Sequence, residues 1–211
     1  RCFLLDMDGT FYLGDRIIEG SIEFLQKVEQ TGRSYLFLTN NSSRSVQHYV
    51  EKLGRLGLHV GEDKILTSGQ AAAQYLKREY PGKRVFLLGN PSLREEMEKH
   101  GIALEDEHPD LVLVGFDTTL DYAKMTRVCD LVREGLPYIA THPDFNCPTE
   151  SGFIPDIGAI MAFIEASTGR KADVIIGKPC GEIVRAAQER TGLAPGEMAM
   201  VGDRLYTDVR T

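Results

Sequence analysis

The 211-residue sequence lacks the features that mark several classes of protein. It has only four cysteines, no Cys-x-x-Cys pair and no spacing typical of a zinc site, so we expect four reduced thiols. No apolar run approaches the roughly 20 residues needed to span a membrane, and no signal peptide is visible. These absences predict a cytoplasmic protein that has no membrane partner.

The sequence also lacks an excess of positive charge. Asp and Glu number 31 against 24 Lys and Arg, which gives a formal net charge of −7. A negative surface repels phosphate backbones, so we expect no nucleic acid among the partners. An anionic small molecule would need a local group of residues that offsets the overall charge. The length and the 42% of hydrophobic residues allow one or two domains with a substantial core.

Short apolar runs alternate with helical patterns along the whole chain. We predict strands at 3–5, 35–38, 64–66, 85–88, 111–114, 138–140, 174–176 and 198–201. We predict helices at 17–30, 45–56, 70–79, 92–100, 122–134, 159–167 and 183–191, and a long loop at 141–158. This alternation is typical of βαβ crossovers and predicts an α/β fold with a mostly parallel sheet. One sheet or two packed α/β units would both accommodate the strands.

Four of the predicted strands end in unusual polar turns. The turns are Asp6-x-Asp8-Gly9-Thr10, Thr39-Asn40-Asn41, Gly177-Lys178-Pro179 and Gly202-Asp203-Arg204-x-x-Thr207-Asp208. If these strands are neighbours in one parallel sheet, all four turns meet at the edge where open α/β sheets bind ligands. Two acids as close as Asp6 and Asp8 repel each other unless a cation or a shared proton relieves the repulsion.

The residue types in these turns suit a hard cation such as Mg²⁺ together with a phosphate. A carboxylate is ionised at pH 7 and can attack phosphorus without a base. A cation and Lys178 would offset the repulsion between that carboxylate and the phosphate. A second acid must protonate the departing oxygen and then activate water, and Asp8 is placed for this role. Asp203 would be a further metal ligand, and Asp208 would hold waters of the metal.

The four motifs, in this order and spacing, resemble those of the haloacid dehalogenase-like (HAD) superfamily phosphatases. Thr39-Asn40-Asn41-Ser42-Ser43, Gly177-Lys178-Pro179 and the turn that begins at Val201 are similar to those of the NagD-like, p-nitrophenylphosphatase-type subfamily. The resemblance covers essentially the whole chain. It implies a Rossmann-like core at 1–71 and 173–211 with an inserted α/β (C2-type) cap at 72–172. It also implies a further strand and helix after the fourth motif, so we expect the core to continue beyond Thr211.

The resemblance also implies a role for each motif residue. Asp6 would be the nucleophile and Asp8 the general acid and base of a phosphomonoester hydrolase. The residues expected at Mg²⁺ are Asp6, Asp8 through its backbone carbonyl, Asp203 and Asp208. The residues expected to contact phosphate or substrate are Thr39, Asn40, Asn41, Lys178 and Cys147. The substrate would be a small phosphorylated metabolite such as a sugar phosphate or a nucleotide, and a homodimer formed through the cap is a further expectation.

Cys147 is the one departure from the family pattern. It precedes Pro148 in the long loop, at the position from which some relatives reach the substrate. Relatives with His at this position differ from this chain, so we do not carry their specificity over to it. In the same loop, His142 is expected at the surface rather than as a ligand, whereas Asp144 is a candidate for substrate contact.

Simpler readings and rival functions remain open for these motifs. Residues 39–43 could cap the following helix, and Asp203 and Asp208 could lie at a helix N-terminus. Cys129 lies on the apolar face of a predicted helix and is expected in the core.

A phosphomutase or phosphotransferase of the same superfamily would share Asp6 and Asp8. A receiver-like phospho-acceptor module would be shorter and would lack the acid pair, and an inactive sugar-phosphate binder is a further alternative.

Overall fold

The computed structural model describes residues 1–149 and 152–211. The chain divides into two compact units. The core unit comprises Arg1–Thr39, Val46–Thr67 and Lys178–Thr211. The inserted unit comprises Asn40–Ser45 and Ser68–Gly177.

Strands and helices alternate through both units. The strands are β1 (Cys2–Leu5), β2 (Tyr12–Leu13), β3 (Arg16–Ile17), β4 (Ser34–Thr39), β5 (Ile65–Thr67), β6 (Arg84–Leu88), β7 (Ala103–Leu104), β8 (Leu111–Val114), β9 (Tyr138–Ala140), β10 (Asn146–Thr149), β11 (Gly152–Pro155), β12 (Val174–Ile175) and β13 (Met198–Val201). The α-helices are α1 (Ser21–Gln30), α2 (Val46–Arg55), α3 (Ser68–Glu79), α4 (Pro91–Lys99), α5 (Tyr122–Arg133), α6 (Ile157–Thr168) and α7 (Gly181–Thr191).

The core unit contains a parallel sheet with the strand order β13-β1-β4-β5. In its register, Leu5 lies opposite both Val201 and Phe37. The central strands are apolar because they are buried on both faces, as is usual in parallel sheets. This register places the residues that follow β1 and β13, together with the last residue of β4, at one edge of the sheet.

The inserted unit has its own parallel sheet, with the strand order β12-β9-β8-β6-β7. Helices α5 and α6 contribute buried apolar side chains to the same core as strands β6, β8 and β9. Strands β10 and β11 form a separate antiparallel pair just before α6.

The predicted parallel α/β class is confirmed, and of the two arrangements left open, the described residues form two parallel sheets. Two expectations were wrong in detail. The predicted helix 17–30 begins later than expected, because Ile17 is the last residue of β3 and α1 begins only after Gly20, whose φ of 86° is left-handed and interrupts helical geometry. The predicted loop 141–158 contains β10 and β11, while its residues 150 and 151 lie outside the described part of the chain.

One topological expectation was also wrong. Lys178 does follow a strand, but that strand is β12 of the second sheet, so the four polar turns do not all end strands of one sheet. The chain passes from the inserted unit into the core unit between Gly177 and Lys178. The roles of the two units as catalytic core and cap stay predictions.

The cysteines match the sequence-based expectation. All four are free thiols, and Cys129 is buried in α5 among the core residues of the inserted unit. Within the described residues, no helix is both long and apolar enough to cross a membrane.

Candidate active site

Asp6 is held at the edge of the core-unit sheet by the pairing of β1. Its backbone N–H donates to the carbonyl oxygen of Val201 at 2.9 Å, which continues the ladder by one residue beyond β1. The side chain is 13% exposed, so the carboxylate is largely removed from water. A buried carboxylate is costly unless cations or donors compensate its charge.

Lys178 supplies this compensation. Its ammonium donates to Asp6 Oδ1 at 2.5 Å and to Asp208 Oδ1 at 2.6 Å, and all three side chains are buried. The second oxygen of Asp208 accepts from the backbone N–H of Arg204 at 3.1 Å. Asp208 therefore anchors both Lys178 and the turn that follows β13.

The charges in this cluster suit a divalent cation. Oxygen atoms of Asp6, Asp203 and Asp208 lie within 4.8 Å of one another, and Asp203 is the exposed member. Three carboxylates against the single ammonium of Lys178 leave a formal charge of −2. All the candidate ligand atoms are carboxylate oxygens, which are the donors that Mg²⁺ prefers. The residues therefore fit the predicted metal site.

Two glycines shape the backbone around these acids. Gly9 has a φ of 90°, and a Cβ added to it would lie 2.7 Å from Asp203 Oδ2. A Cβ added to Gly202 would collide with the side chain of Asp208. Glycine at position 9 lets the turns after β1 and β13 approach each other closely, and glycine at position 202 lets the turn after β13 fold back against Asp208. Residues 205–210 form turns rather than the helix start considered from the sequence.

Asp8 lies on the same turn but has different partners. Its Oδ2 accepts from the hydroxyl of Tyr12 at 3.2 Å, and its Oδ1 lies 3.7 Å from the ammonium of Lys52. The side chain of Asp8 is 43% exposed, so it is far more open to solvent than Asp6. The two acids are therefore distinct in their environments, as their predicted roles require.

Burial raises the pKa of Asp6 to about 6, with Lys178 opposing the rise and the nearby Asp208 and Asp203 adding to it. Because this pKa in the folded state exceeds the ordinary 3.8, the folded state binds the proton more tightly. The contribution of Asp6 to stability is therefore complete below about pH 4 and is lost as the pH rises through 6.

This shift predicts that the free energy of unfolding depends on pH, and that Asp6→Asn removes this dependence. In a chelating buffer, going from pH 5 to pH 7.5 is expected to cost the wild type about 1.4 kcal/mol of unfolding free energy relative to Asp6→Asn. Urea unfolding of both proteins at the two pH values measures this difference. Parallel pH dependence in the two proteins would contradict the assignment of a raised pKa to Asp6.

The predicted phosphate-contact residues fall in both units. Thr39 is the last residue of β4 and is buried in the core unit. Asn40 and Asn41 belong to the inserted unit, where Asn40 Nδ2 donates to Asp144 Oδ2 at 3.0 Å. Asn41 Nδ2 lies 4.0 Å from Cys147 Sγ, and Asn41 Oδ1 accepts from the N–H and hydroxyl of Ser43. The structure therefore brings Asn41 and Cys147 together as neighbours.

His142 is not at the surface, so that expectation was wrong. It is fully buried, and both of its ring nitrogens are hydrogen-bonded at 3.0 Å, Nε2 to Asp156 and Nδ1 to Thr141. Since the carboxylate of Asp156 can only accept when ionised, His142 Nε2 is the donor in that hydrogen bond.

This hydrogen-bond chain ends on the 40–45 loop. The hydroxyl of Thr141 in turn bonds to Ser42 Oγ at 3.0 Å, and Ser42 Oγ accepts from the backbone N–H of Phe116 at 3.0 Å. Sequence reasoning missed Ser42 and Thr141, because hydroxyl residues in loops give no signal of their partners. The chain explains why Asn40–Ser45 is part of the inserted unit.

Models of two related families match the regions of the sequence that contain Asp6, Lys178 and Asp208. The haloacid dehalogenase-like hydrolase model matches residues 3–103, and the HAD-hydrolase-like model matches residues 175–211. An acid sugar phosphatase of Staphylococcus aureus is 36% identical over 210 residues, which are 99% of this chain and 81% of that protein. This chain belongs to the haloacid dehalogenase-like hydrolases.

Solved structures agree with this assignment. A 4-nitrophenylphosphatase from Thermotoga maritima has a TM-score of 0.96 and 49% identity, with 99% of this chain and 80% of that chain covered. NagD from E. coli K-12 has a TM-score of 0.90 and 32% identity, with coverage of 99% and 81%. The NagD-like subfamily predicted from the motifs is therefore confirmed, as are the HAD fold and the phosphatase class of the enzyme.

Proposed function

We propose that this HAD phosphatase is a Mg²⁺-dependent phosphomonoester hydrolase that works through a phospho-aspartate on Asp6. The observation that carries the proposal is the buried ammonium of Lys178, which bridges Asp6 and Asp208 beside the more exposed Asp203. This arrangement combines a nucleophile, a fixed positive charge and an open metal ligand in one place. A solely structural ion pair would not need the third acid.

In the first half of the reaction, the Asp6 carboxylate attacks phosphorus. A bond forms between a carboxylate oxygen and phosphorus while the ester P–O bond breaks, and its electron pair goes to the departing oxygen. Asp8 gives its proton to that oxygen, so the alcohol leaves neutral. Lys178 stabilises the charge that develops on the phosphoryl oxygens.

In the second half, water attacks the phosphorus of phospho-Asp6. The Asp6–phosphorus bond breaks and its electron pair returns to the carboxylate, while Asp8 takes the proton of the attacking water. Inorganic phosphate leaves, and both acids are restored to their starting protonation states. Asp6, Asp203, Asp208 and the backbone carbonyl of Asp8 would hold Mg²⁺, which when bound shields the charge of the phosphoryl oxygens.

Small phosphorylated metabolites such as sugar phosphates are the proposed substrates. The relatives named acid sugar phosphatase and 4-nitrophenylphosphatase support this class. Thr39, Asn40 and Asn41 are proposed to contact the phosphate. The inserted unit is proposed to act as the cap, and Cys147, which neighbours Asn41, is proposed as its substrate-contacting residue.

Hydrolysis of p-nitrophenyl phosphate tests the proposal. The protein is assayed with added Mg²⁺, then with a chelator, and then with Mg²⁺ restored in excess, followed by a panel of sugar phosphates and nucleotides. We expect activity that disappears with the chelator and returns with Mg²⁺. Release of p-nitrophenol without metal, or transfer of the phosphoryl group to a sugar rather than to water, would refute the proposal.

A further inference from the structure

Asp8, Tyr12 and Lys52 form a closed triad in the core unit, in which each side chain contacts the other two. The Tyr12 hydroxyl donates to Asp8 Oδ2 at 3.2 Å, and the Lys52 ammonium lies 3.7 Å from Asp8 Oδ1. The same ammonium lies 3.9 Å from the centre of the Tyr12 ring, within the range of a cation–π interaction. No motif in the sequence marks either Tyr12 or Lys52.

The Tyr12 side of this triad is rigid. Tyr12 is fully buried, its N–H donates to the carbonyl of Met7 at 3.1 Å, and its own carbonyl accepts from Gly9 at 2.8 Å. Burial, reinforced by the charge of Asp8, raises the pKa of the phenol, so the hydroxyl stays a donor. Asp8 is therefore held against a fixed support although its own side chain is partly exposed.

The two partners act on different oxygens of Asp8. The hydroxyl of Tyr12 makes a hydrogen bond to Oδ2, whereas the 3.7 Å from Lys52 to Oδ1 is too long for one. Lys52 therefore attracts the carboxylate of Asp8 by charge and makes no hydrogen bond to Oδ1. Together the two contacts restrict the orientation of the Asp8 carboxyl group.

We infer that Tyr12 and Lys52 are positioning residues for Asp8, which hold its carboxyl group oriented for proton transfer to the departing oxygen. This inference rests on the proposed function, in which Asp8 is the general acid. A competing explanation is that Asp8 merely satisfies the buried hydroxyl of Tyr12, as buried tyrosines require. The two explanations predict different effects of mutating Tyr12 or Lys52 on the hydrolysis of different substrates.

The quantity that separates them is kcat/KM, which reports the steps up to transfer of the phosphoryl group to Asp6. An alkyl phosphate such as a sugar phosphate has a poor leaving group that needs a proton. p-Nitrophenol leaves readily as an anion and needs none. Misorientation of Asp8 should therefore lower kcat/KM selectively for the alkyl phosphate, whereas general damage lowers both values in proportion.

The experiment measures both substrates in Tyr12→Phe and Lys52→Met, which keep the ring and the aliphatic stem. With general acid catalysis worth 10²–10⁴-fold, we expect kcat/KM to fall by about 10-fold for the alkyl phosphate and less than about 2-fold for p-nitrophenyl phosphate. In an Asp8→Asn background, Tyr12→Phe should have no further selective effect. Thermal unfolding shows whether each variant is folded under the assay conditions.

Lys64→Met is the matched control, because Lys64 also lies over a tyrosine ring, that of Tyr35, at 5.1 Å. It is expected to keep wild-type kcat/KM for both substrates. Equal losses for both substrates in the folded Tyr12 and Lys52 variants, or no loss for either, would overturn the inference. If the wild type itself lacks Mg²⁺-dependent hydrolysis, the proposed function fails instead, so the two failures are distinguishable.

Discussion

Asp6→Asn is expected to abolish phosphomonoester hydrolysis, lowering kcat by about 10⁴-fold or more, as loss of a nucleophile commonly does. The amide has nearly the shape of the carboxylate, and its oxygen can still accept the hydrogen bond from Lys178. The substitution removes a buried charge rather than a packed side chain, so the fold is expected to persist. Steady-state release of phosphate, with unfolding by urea alongside, measures both effects.

Two further variants make the Asp6→Asn result specific. Asp15→Asn removes an exposed carboxylate of the same unit and is expected to leave kcat unchanged. Asp203→Asn should weaken the response to Mg²⁺, so that part of its activity returns at higher Mg²⁺, whereas no Mg²⁺ concentration restores Asp6→Asn. Near-normal turnover by Asp6→Asn would show that another group attacks phosphorus.

Lys178→Met is the second change with a large expected effect. It removes the only ammonium that the structure places between Asp6 and Asp208 among the described residues. Loss of one group that stabilises transition-state charge typically lowers kcat by about 10²–10³-fold. Two buried carboxylates left without their cation are expected to cost about 3–5 kcal/mol of unfolding free energy in a chelating buffer.

Added Mg²⁺ distinguishes the two parts of this prediction. A cation bound only by the folded state stabilises it by mass action, so Mg²⁺ should restore part of the lost stability of Lys178→Met. It should not restore kcat, because the phosphoryl oxygens would still lack the ammonium. Lys64→Met serves as the control for loss of a lysine. If Lys178→Met has unchanged stability and unchanged kcat, the ion pairs of Lys178 with Asp6 and Asp208 contribute neither to stability nor to catalysis.

Most residues of the candidate site could be predicted from local motifs. A short apolar run followed by Asp-x-Asp-Gly-Thr indicates both where β1 ends and which acids follow it. Lys178 was expected close to Asp6 because the strands before both residues were predicted to be neighbours in one sheet, and that reason was wrong. β12 is in the other sheet, and Lys178 reaches the acids because the chain enters the core unit at that residue. Sheet membership depends on long-range pairing, which a three-residue apolar run does not specify.

The partners of Asp8 and His142 could not be predicted for a similar reason. Lys52 lies on α2, far along the chain from Asp8, and one lysine on a helix looks like any other in the sequence. His142 was expected at the surface because it lies in the predicted loop 141–158. The hydroxyl of the adjacent Thr141 and the carboxylate of Asp156, 14 residues further along the chain, satisfy its ring nitrogens and make its burial possible.

The covalent intermediate itself tests the central claim most directly. Asp8→Asn is mixed with p-nitrophenyl phosphate and Mg²⁺, quenched in acid within the first turnover, digested and analysed by mass spectrometry. Because p-nitrophenol leaves without an acid but water attack lacks its base, phosphate should accumulate on Asp6, with a matching burst of p-nitrophenol. A burst without phosphate on any residue, or phosphate on a residue other than Asp6, would contradict the account.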